Sequence, residues 1–190
     1  TEFDLRSQTL AISLLEERYP GVPIVSEEGD RARIDGDWRE HDLAFAIDPI
    51  DGTTNFAHGH PFWCVSIGAL SRGDAVAGAI VAPALDAAWH GWFLDPGARA
   101  LFRNGEPRSV SDTTDLAQAF VATGFPPNRE LAPENNFESF VAVKRRVQGV
   151  RRCGSAALDF AYVADGTYDA YWERRIMLWD GAAGAALVLG

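Results

Sequence analysis

Cysteine is nearly absent from this chain. Its 190 residues hold two, Cys64 and Cys153, far apart and in no CxxC pattern. That leaves no disulfide framework to read and points to reduced thiols in a cytoplasmic compartment. Positive charge is also scarce. Lys and Arg number 17 against 27 Asp and Glu, a formal charge of −10. A nucleic-acid-binding surface needs basic stripes, so nucleic acid is excluded as a partner. The acidic balance permits a site that collects cations and equally a well-solvated surface. No apolar run reaches membrane-spanning length and no signal peptide is visible, which reads as a soluble intracellular protein. Repeats and low-complexity segments are missing too. What remains is a chain with 47% apolar residues, enough to bury the core of one large domain or two small ones.

The pattern along the chain mixes both element types. Leu5 to Arg18 has helical spacing, with Leu5, Ile12, Leu15 and Tyr19 near one face, and Pro20-Gly21 stops it. Val22 to Val25 reads as a short strand that delivers Glu27 and Glu28 to a loop. Arg31 to Asp42 is polar and reads as a surface excursion. "LAFAI", Leu43 to Ile47, is a buried strand ending at Asp48. From Phe62, apolar runs alternate with the turns "SRGD" and "DPG", the pattern of an antiparallel meander whose glycines and alanines imply close packing against helices. "LAQAFVATGF" predicts a further strand, Pro133 to Val147 a helix, Ser155 to Ala164 another, and "YDAYWE" a strand ending at Glu173. "GAAGAALV" predicts a small-residue helix after Trp179. The change from meander to mixed strand and helix places a domain boundary near Asp112, giving units 1–111 and 112–190.

One stretch, "IDPIDGTTNF", puts two aspartates three residues apart, directly after an apolar strand. Two like charges so close destabilise a fold unless something neutralises them. Glu27, Asp48, Asp51 and Asp180 each follow an apolar strand or open a helix, where side chains and free amides converge on a cleft. Hard oxygen ligands of this kind suit Mg²⁺, or Mn²⁺ in its place. Pro49 stiffens the turn, and the Ile50 carbonyl can face the same way as both aspartates. Gly52 lets backbone approach a ligand, and Thr53 and Thr54 open a helical turn whose N–H groups could hold a phosphate. Two divalent ions about 3.5–4 Å apart could clamp that phosphate and acidify a bound water. The alternative for the pair alone is a turn in which Asp48 caps the next segment.

The full string "DPIDGTTNFAHG", preceded by "SEEGD" and followed by "WDGAAGAALV", closely resembles the inositol monophosphatase family of Mg²⁺-dependent, lithium-sensitive sugar phosphatases. The first motif is highly specific; the second alone would be weak. "RRCGSAALDFAYVADGTYDAYWE" also looks like the family's intervening segment, so the resemblance covers essentially the whole chain. It implies a mixed α+β fold, a layered αβαβα sandwich incomplete at its C-terminus. It implies a first metal on Glu27, Asp48 and the Ile50 carbonyl, a second on Asp48, Asp51 and Asp180, and a weaker third on Glu27 and water. It further implies phosphate on the Gly52 and Thr53 amides, and an attacking water oriented by the Thr53 hydroxyl, itself bonded to Asp4. The second metal, near Asp180, would stabilise the leaving alkoxide. Asp51, the Ala156 backbone and Glu173 would grip substrate hydroxyls.

Each of these residues has a plainer reading. Asp4 and Asp180 could be helix N-caps, Glu173 a strand-end surface charge, and one of Glu27 and Glu28 merely solvated. Ser26 replaces the family's glycine before the Glu-Glu pair. His58 and His60 resemble half a zinc site, but without a third ligand they read as loop residues. The resemblance implies hydrolysis of inositol monophosphate or a similar small polyol phosphate, with histidinol phosphate, fructose 1,6-bisphosphate and 3′-phosphoadenosine nucleotides as alternatives. It also implies a homodimer, and, as a different class, a protein-binding regulatory factor or an inactive fragment. Relative to the family the chain reads as truncated at both ends. "ERR", Glu173 to Arg175, adds positive charge that would favour a more acidic substrate.

Overall fold

The computed structural model describes residues 1–28, 38–126, 130 and 133–190. Helix α1 spans Glu2–Arg18, strand β1 Ile24–Ser26 and β2 Ala44–Asp51, which runs into a short helix α2, Thr53–Ala57. The meander follows as β3 (Cys64–Ser71), β4 (Asp74–Ala82), β5 (Ala87–Asp95), β6 (Ala98–Arg103) and the two-residue β7 (Glu106–Pro107). Then come β8 (Phe120–Thr123), α3 (Phe137–Lys144), β9 (Gly149–Arg151), α4 (Ala156–Ala164), β10 (Ala170–Trp172) and α5 (Leu178–Leu189). Strands β1 to β7 form one sheet in chain order; β1 pairs parallel with β2 and the others are antiparallel. A second, parallel sheet runs β10-β8-β9.

Turn chemistry sets the meander's register. Arg72-Gly73 joins β3 to β4 and Asn104-Gly105 joins β6 to β7, with all four residues at positive φ. Two-residue turns of this hand match the twist of the strands they link. Strand β3 then alternates buried and half-buried residues, whereas all eight residues of β2 are buried. β2 is covered on both faces because α1 packs on it from one side and α5 from the other. Beyond α4 and α5 lies the second sheet, and α3 packs on that sheet through Val143, with Val147 just past the helix end adding to the contact. The order is helix, sheet, helices, sheet, helix, the five-layer α+β arrangement expected.

The main core lies between the large sheet and the middle helices. Ile80, Trp89 and Leu101 from the sheet meet Ala157, Leu158 and Ala161 of α4 and Ala183 and Leu187 of α5. Helix α5 sits unusually close. A Cβ on Gly68 would fall 2.7 Å from Ala182 Cβ, and one on Gly78 would fall 2.8 Å from the Ala183 Cα. Glycine on the strands and alanine on the helix are what permit this approach, which fixes the start of α5 relative to β2.

Several boundaries differ from the sequence pattern. The strand expected over residues 22–25 begins at Ile24, because Pro23 has no N–H to donate. The helix expected over Pro133 to Val147 shortens to Phe137–Lys144. Asn136 takes a left-handed conformation there, and its side-chain amide donates to Thr123 Oγ1 (2.8 Å) and the Gly124 carbonyl (2.7 Å). That pins the preceding backbone to β8. The polar excursion read over Arg31 to Asp42 lies outside the described residues from 31 to 37; Trp38–Glu40 form a single 3₁₀ turn. Both cysteines are free thiols. Among the described residues no helix is long and apolar enough to cross a membrane.

Candidate active site

In a regular strand, residues three apart point to opposite faces. Asp48 and Asp51 avoid that through a bulge. Asp48 pairs with Ser66 and Asp51 with Cys64, so three steps on β2 oppose two on β3. The extra residue turns both carboxylates to one side. Pro49 suits the bulge because it has no ladder hydrogen bond to lose, and the Ile50 amide donates to Asp48 Oδ1 at 3.1 Å. Asp51 is held harder. Its Oδ2 accepts from Ser155 Oγ (2.7 Å) and the Ala157 amide (2.6 Å), both at the start of α4. The Ala156 amide also lies near enough to Asp51 to favour its charged form.

The other two carboxylates arrive from neighbouring elements. Glu27 follows β1, whose parallel pairing with β2 sets its end beside Asp48, and the Glu27 amide donates to the Ile47 carbonyl at 3.3 Å. Asp180 lies inside α5, three residues beyond the capping Met177, whose amide donates to its Oδ2 at 3.0 Å. It is therefore not the N-cap, and neither is Asp4: Thr1 caps α1 and Asp4 is fully buried in its first turn. Thr53 Oγ1 lies 3.1 Å from Asp4 Oδ1 and 3.0 Å from the Ile50 carbonyl, able to donate to either. Gly52 sits before Thr53 at φ 91°, a conformation that ordinary residues resist. Glu27, Asp48, Ile50, Asp51, Gly52, Thr53 and Asp180 all line one cavity of about 590 Å³. His58 and His60 lie exposed on the loop after α2 and do not line it.

Negative charge is in excess in this cavity, where Arg152 and Arg175 face seven carboxylates. Burial, then the charges of Asp51, Glu27 and Asp180, pushes Asp48 up to about 10. Burial raises Asp51 to about 7 despite the hydrogen bonds from Ser155 and Ala157 that oppose it. Burial and then Asp180 raise Glu27, although it is the most exposed of the four. The Asp48 carboxyl lies close enough to Glu27 and Asp180 to lower both while it is itself protonated. Among the described residues no group of three or more His, Cys, Asp or Glu side chains is arranged, as it stands, to hold a metal ion. Carboxylates at this range must share protons or a cation. The donor set is all hard oxygen, which fits Mg²⁺ or Mn²⁺ and not a soft metal.

The opposite wall comes from the second sheet and α4. Glu173 follows β10, and its carboxylate accepts from the Tyr171 hydroxyl and lies against Gly124, where any side chain would collide with it. Phe160 packs edge-on against Tyr171, with ring centroids 4.9 Å apart. Arg175 lines the cavity, whereas Arg174 turns away to Glu134 at 3.7 Å. Sequence reasoning missed two residues here. Asp159 is buried within α4, lines the cavity and leaves its Oδ1 unpartnered. Burial, then Asp51 and Glu173, raises it to about 8. Its signal was a lone acid inside the apolar helix "AALDFAYVA". Arg152, in "GVRRCG", also lines the cavity and carried no such signal.

Known proteins share this sequence and fold. A sequence profile described as the inositol monophosphatase family matches residues 1–190. The chain is 37% identical over 198 residues to an inositol-1-monophosphatase of Synechocystis, covering 99% of this chain and 63% of that protein. It is 37% identical over 190 residues to the Nus factor SuhB of Pseudomonas aeruginosa, covering 99% of this chain and 68% of that one. The chain thus spans about two-thirds of these relatives' length. The solved inositol monophosphatase of Anabaena superimposes with a TM-score of 0.89 at 39% identity, over 97% of this chain and 70% of that one. Fold and sequence agree, and the chain belongs to the inositol monophosphatase family.

Proposed function

We propose that this chain carries the catalytic site of a metal-dependent phosphate monoester hydrolase acting on inositol monophosphate or a similar small polyol phosphate. One observation carries the reading: four carboxylates from three separate elements meet the Thr53–Asp4 pair in a single cavity. Glu27, Asp48, Asp51, Asp180 and the Ile50 carbonyl would hold two or three Mg²⁺ ions, with Mn²⁺ able to substitute. Such ions neutralise phosphate charge and acidify a bound water.

The chain's own residues supply position. When the Thr53 hydroxyl donates to Asp4, its lone pairs are left to accept a proton from a water above it, orienting that water toward phosphorus. Asp4 is buried and cannot swing away from this bond. The Gly52 turn aims the first amides of α2 at the phosphate oxygens. Ser155 and Ala157 keep Asp51 from rotating. Glu173, with Asp51 and the Ala156 backbone, would grip the polyol hydroxyls. Lithium sensitivity, a homodimer and a cytoplasmic location belong to the same reading, as does a division near Asp112 into units 1–111 and 112–190.

Phosphate release from inositol 1-phosphate, with Mg²⁺ and with a chelator, tests this. Turnover that needs Mg²⁺ and falls with lithium is expected; no turnover across a panel with histidinol phosphate, fructose 1,6-bisphosphate and 3′-phosphoadenosine 5′-phosphate would refute it. A second reading, a protein-binding regulatory factor, is favoured by the relatives named Nus factor SuhB. A pull-down that recovers transcription proteins from a preparation without turnover would favour it.

A further inference from the structure

A second cavity, of about 700 Å³, opens from the first. The two share Gly52, Thr53, Phe125, Arg152 and Gly154. Their charge differs sharply. Seven carboxylates line the first cavity, Glu27, Glu28, Asp48, Asp51, Asp159, Glu173 and Asp180 among them. No carboxylate lines the second among the described residues, and its one charged group is Arg152. Arg152 makes no hydrogen bond or ion pair with a described residue, in contrast to Arg174, which is paired with Glu134. Its guanidinium lies over Gly154, whose φ is 89° and where a Cβ would fall 2.5 Å from Nη1. The backbone thus leaves room for the guanidinium at the junction.

We propose that Arg152 and the cavity beyond it form a subsite for a second phosphate group of the substrate, so that bisphosphorylated small alcohols bind more tightly than their monophosphates. This rests on the hydrolase reading above. A phosphate held at the Gly52–Thr53 turn leaves its alcohol two exits. One leads along the acidic wall toward Glu173, which suits hydroxyls. The other passes Arg152 into a space that no carboxylate lines among the described residues, which suits an anion. Guanidinium presents a planar fork of donors that matches phosphate in two-point contact, and Arg152 has those donors free. Its field already reaches Asp159 and Glu173, where it opposes their protonation. A second phosphate would approach it from the opposite side, walled among the described residues by Thr54, Asn55, Phe125 and Phe137.

The test uses α,ω-alkanediol bisphosphates of three to six carbons against the matching monophosphates, and the corresponding bisphosphonates and monophosphonates as unreactive probes. With Mg²⁺ present, calorimetry is expected to show about tenfold tighter binding of the bisphosphonate at one preferred chain length. The same ratio is expected in kcat/KM. Arg152→Ala should reduce the advantage to threefold or less, Arg152→Lys should restore part of it, and Arg174→Ala should leave it intact. An advantage that survives Arg152→Ala, that vanishes only in Arg175→Ala, or that is absent at every chain length would overturn the subsite. Because phosphonate binding needs no turnover, a preserved advantage without hydrolysis would overturn only the hydrolase reading. Hydrolysis without the advantage would overturn only the subsite.

Discussion

The cavity wall formed by the seven-stranded sheet and α5 holds its carboxylates on regular, buried backbone, with a bulge aiming Asp48 and Asp51 and a close-packed helix fixing Asp180. The facing wall holds Arg152, Glu173 and Arg175 just beyond strand ends, where side chains are half-buried or exposed. The first wall has little freedom to vary, since moving one carboxylate disturbs the sheet or the helix packing beneath it. The second can change charge and shape at small cost to the core. On the proposed hydrolase reading, chemistry common to many phosphate esters belongs on the first wall and selection among esters on the second.

Substitutions can break or sharpen that contrast. Asp48→Asn strikes the centre of the rigid wall and should lower kcat about 10³-fold, the scale of several kcal/mol of charge stabilisation. Thr53→Ala removes the hydroxyl facing Asp4 and should lower kcat about 10²-fold with little change in KM. Steady-state kinetics on inositol 1-phosphate check both. Asp159 lies on the facing wall, buried within α4. Its folded value, about 8, lies above that of an unfolded aspartate, so the folded state holds a proton that the unfolded state has lost. Its stabilising effect is full below about pH 4 and fades as pH rises through 8. Stability should fall with pH across that window by at most about 1.4 kcal/mol per unit. Asp159→Asn should flatten the curve in urea denaturation at several pH values. Gly78→Ala would push α5 from the sheet, because the new Cβ meets Ala183 backbone; a loss of about 1–3 kcal/mol is expected. Glu173→Gln, on the variable wall, should raise KM for a polyol phosphate about fivefold while kcat stays within twofold, the scale of one charged hydrogen bond.

The sequence showed the rigid wall more fully than the other. The alternation of β3 and the turns at Arg72 and Asn104 were legible because hydrophobic period and turn chemistry are local. The aspartate pair was legible because two charges against an apolar strand conflict with folding. The bulge itself was not, since it depends on which β3 residue faces which β2 residue. Helix α3 was over-extended because the contacts that shorten it, from Asn136 to Thr123 and Gly124, cross from one element to another. Arg152 and Arg174 look alike in sequence, each in an Arg-Arg or Glu-Arg-Arg string, and only tertiary placement separates the one that borders the cavity from the one that pairs outside it.

The proposed chemistry requires the buried carboxylates to form a cation site. Titration of the protein with Mn²⁺, followed by paramagnetic resonance of the free ion, reads this directly and needs no substrate. Saturable binding of at least two ions, displaced by Mg²⁺ and reduced by Asp48→Asn, is predicted. Binding of no ion, or the same stoichiometry in Asp48→Asn as in the parent, would contradict it.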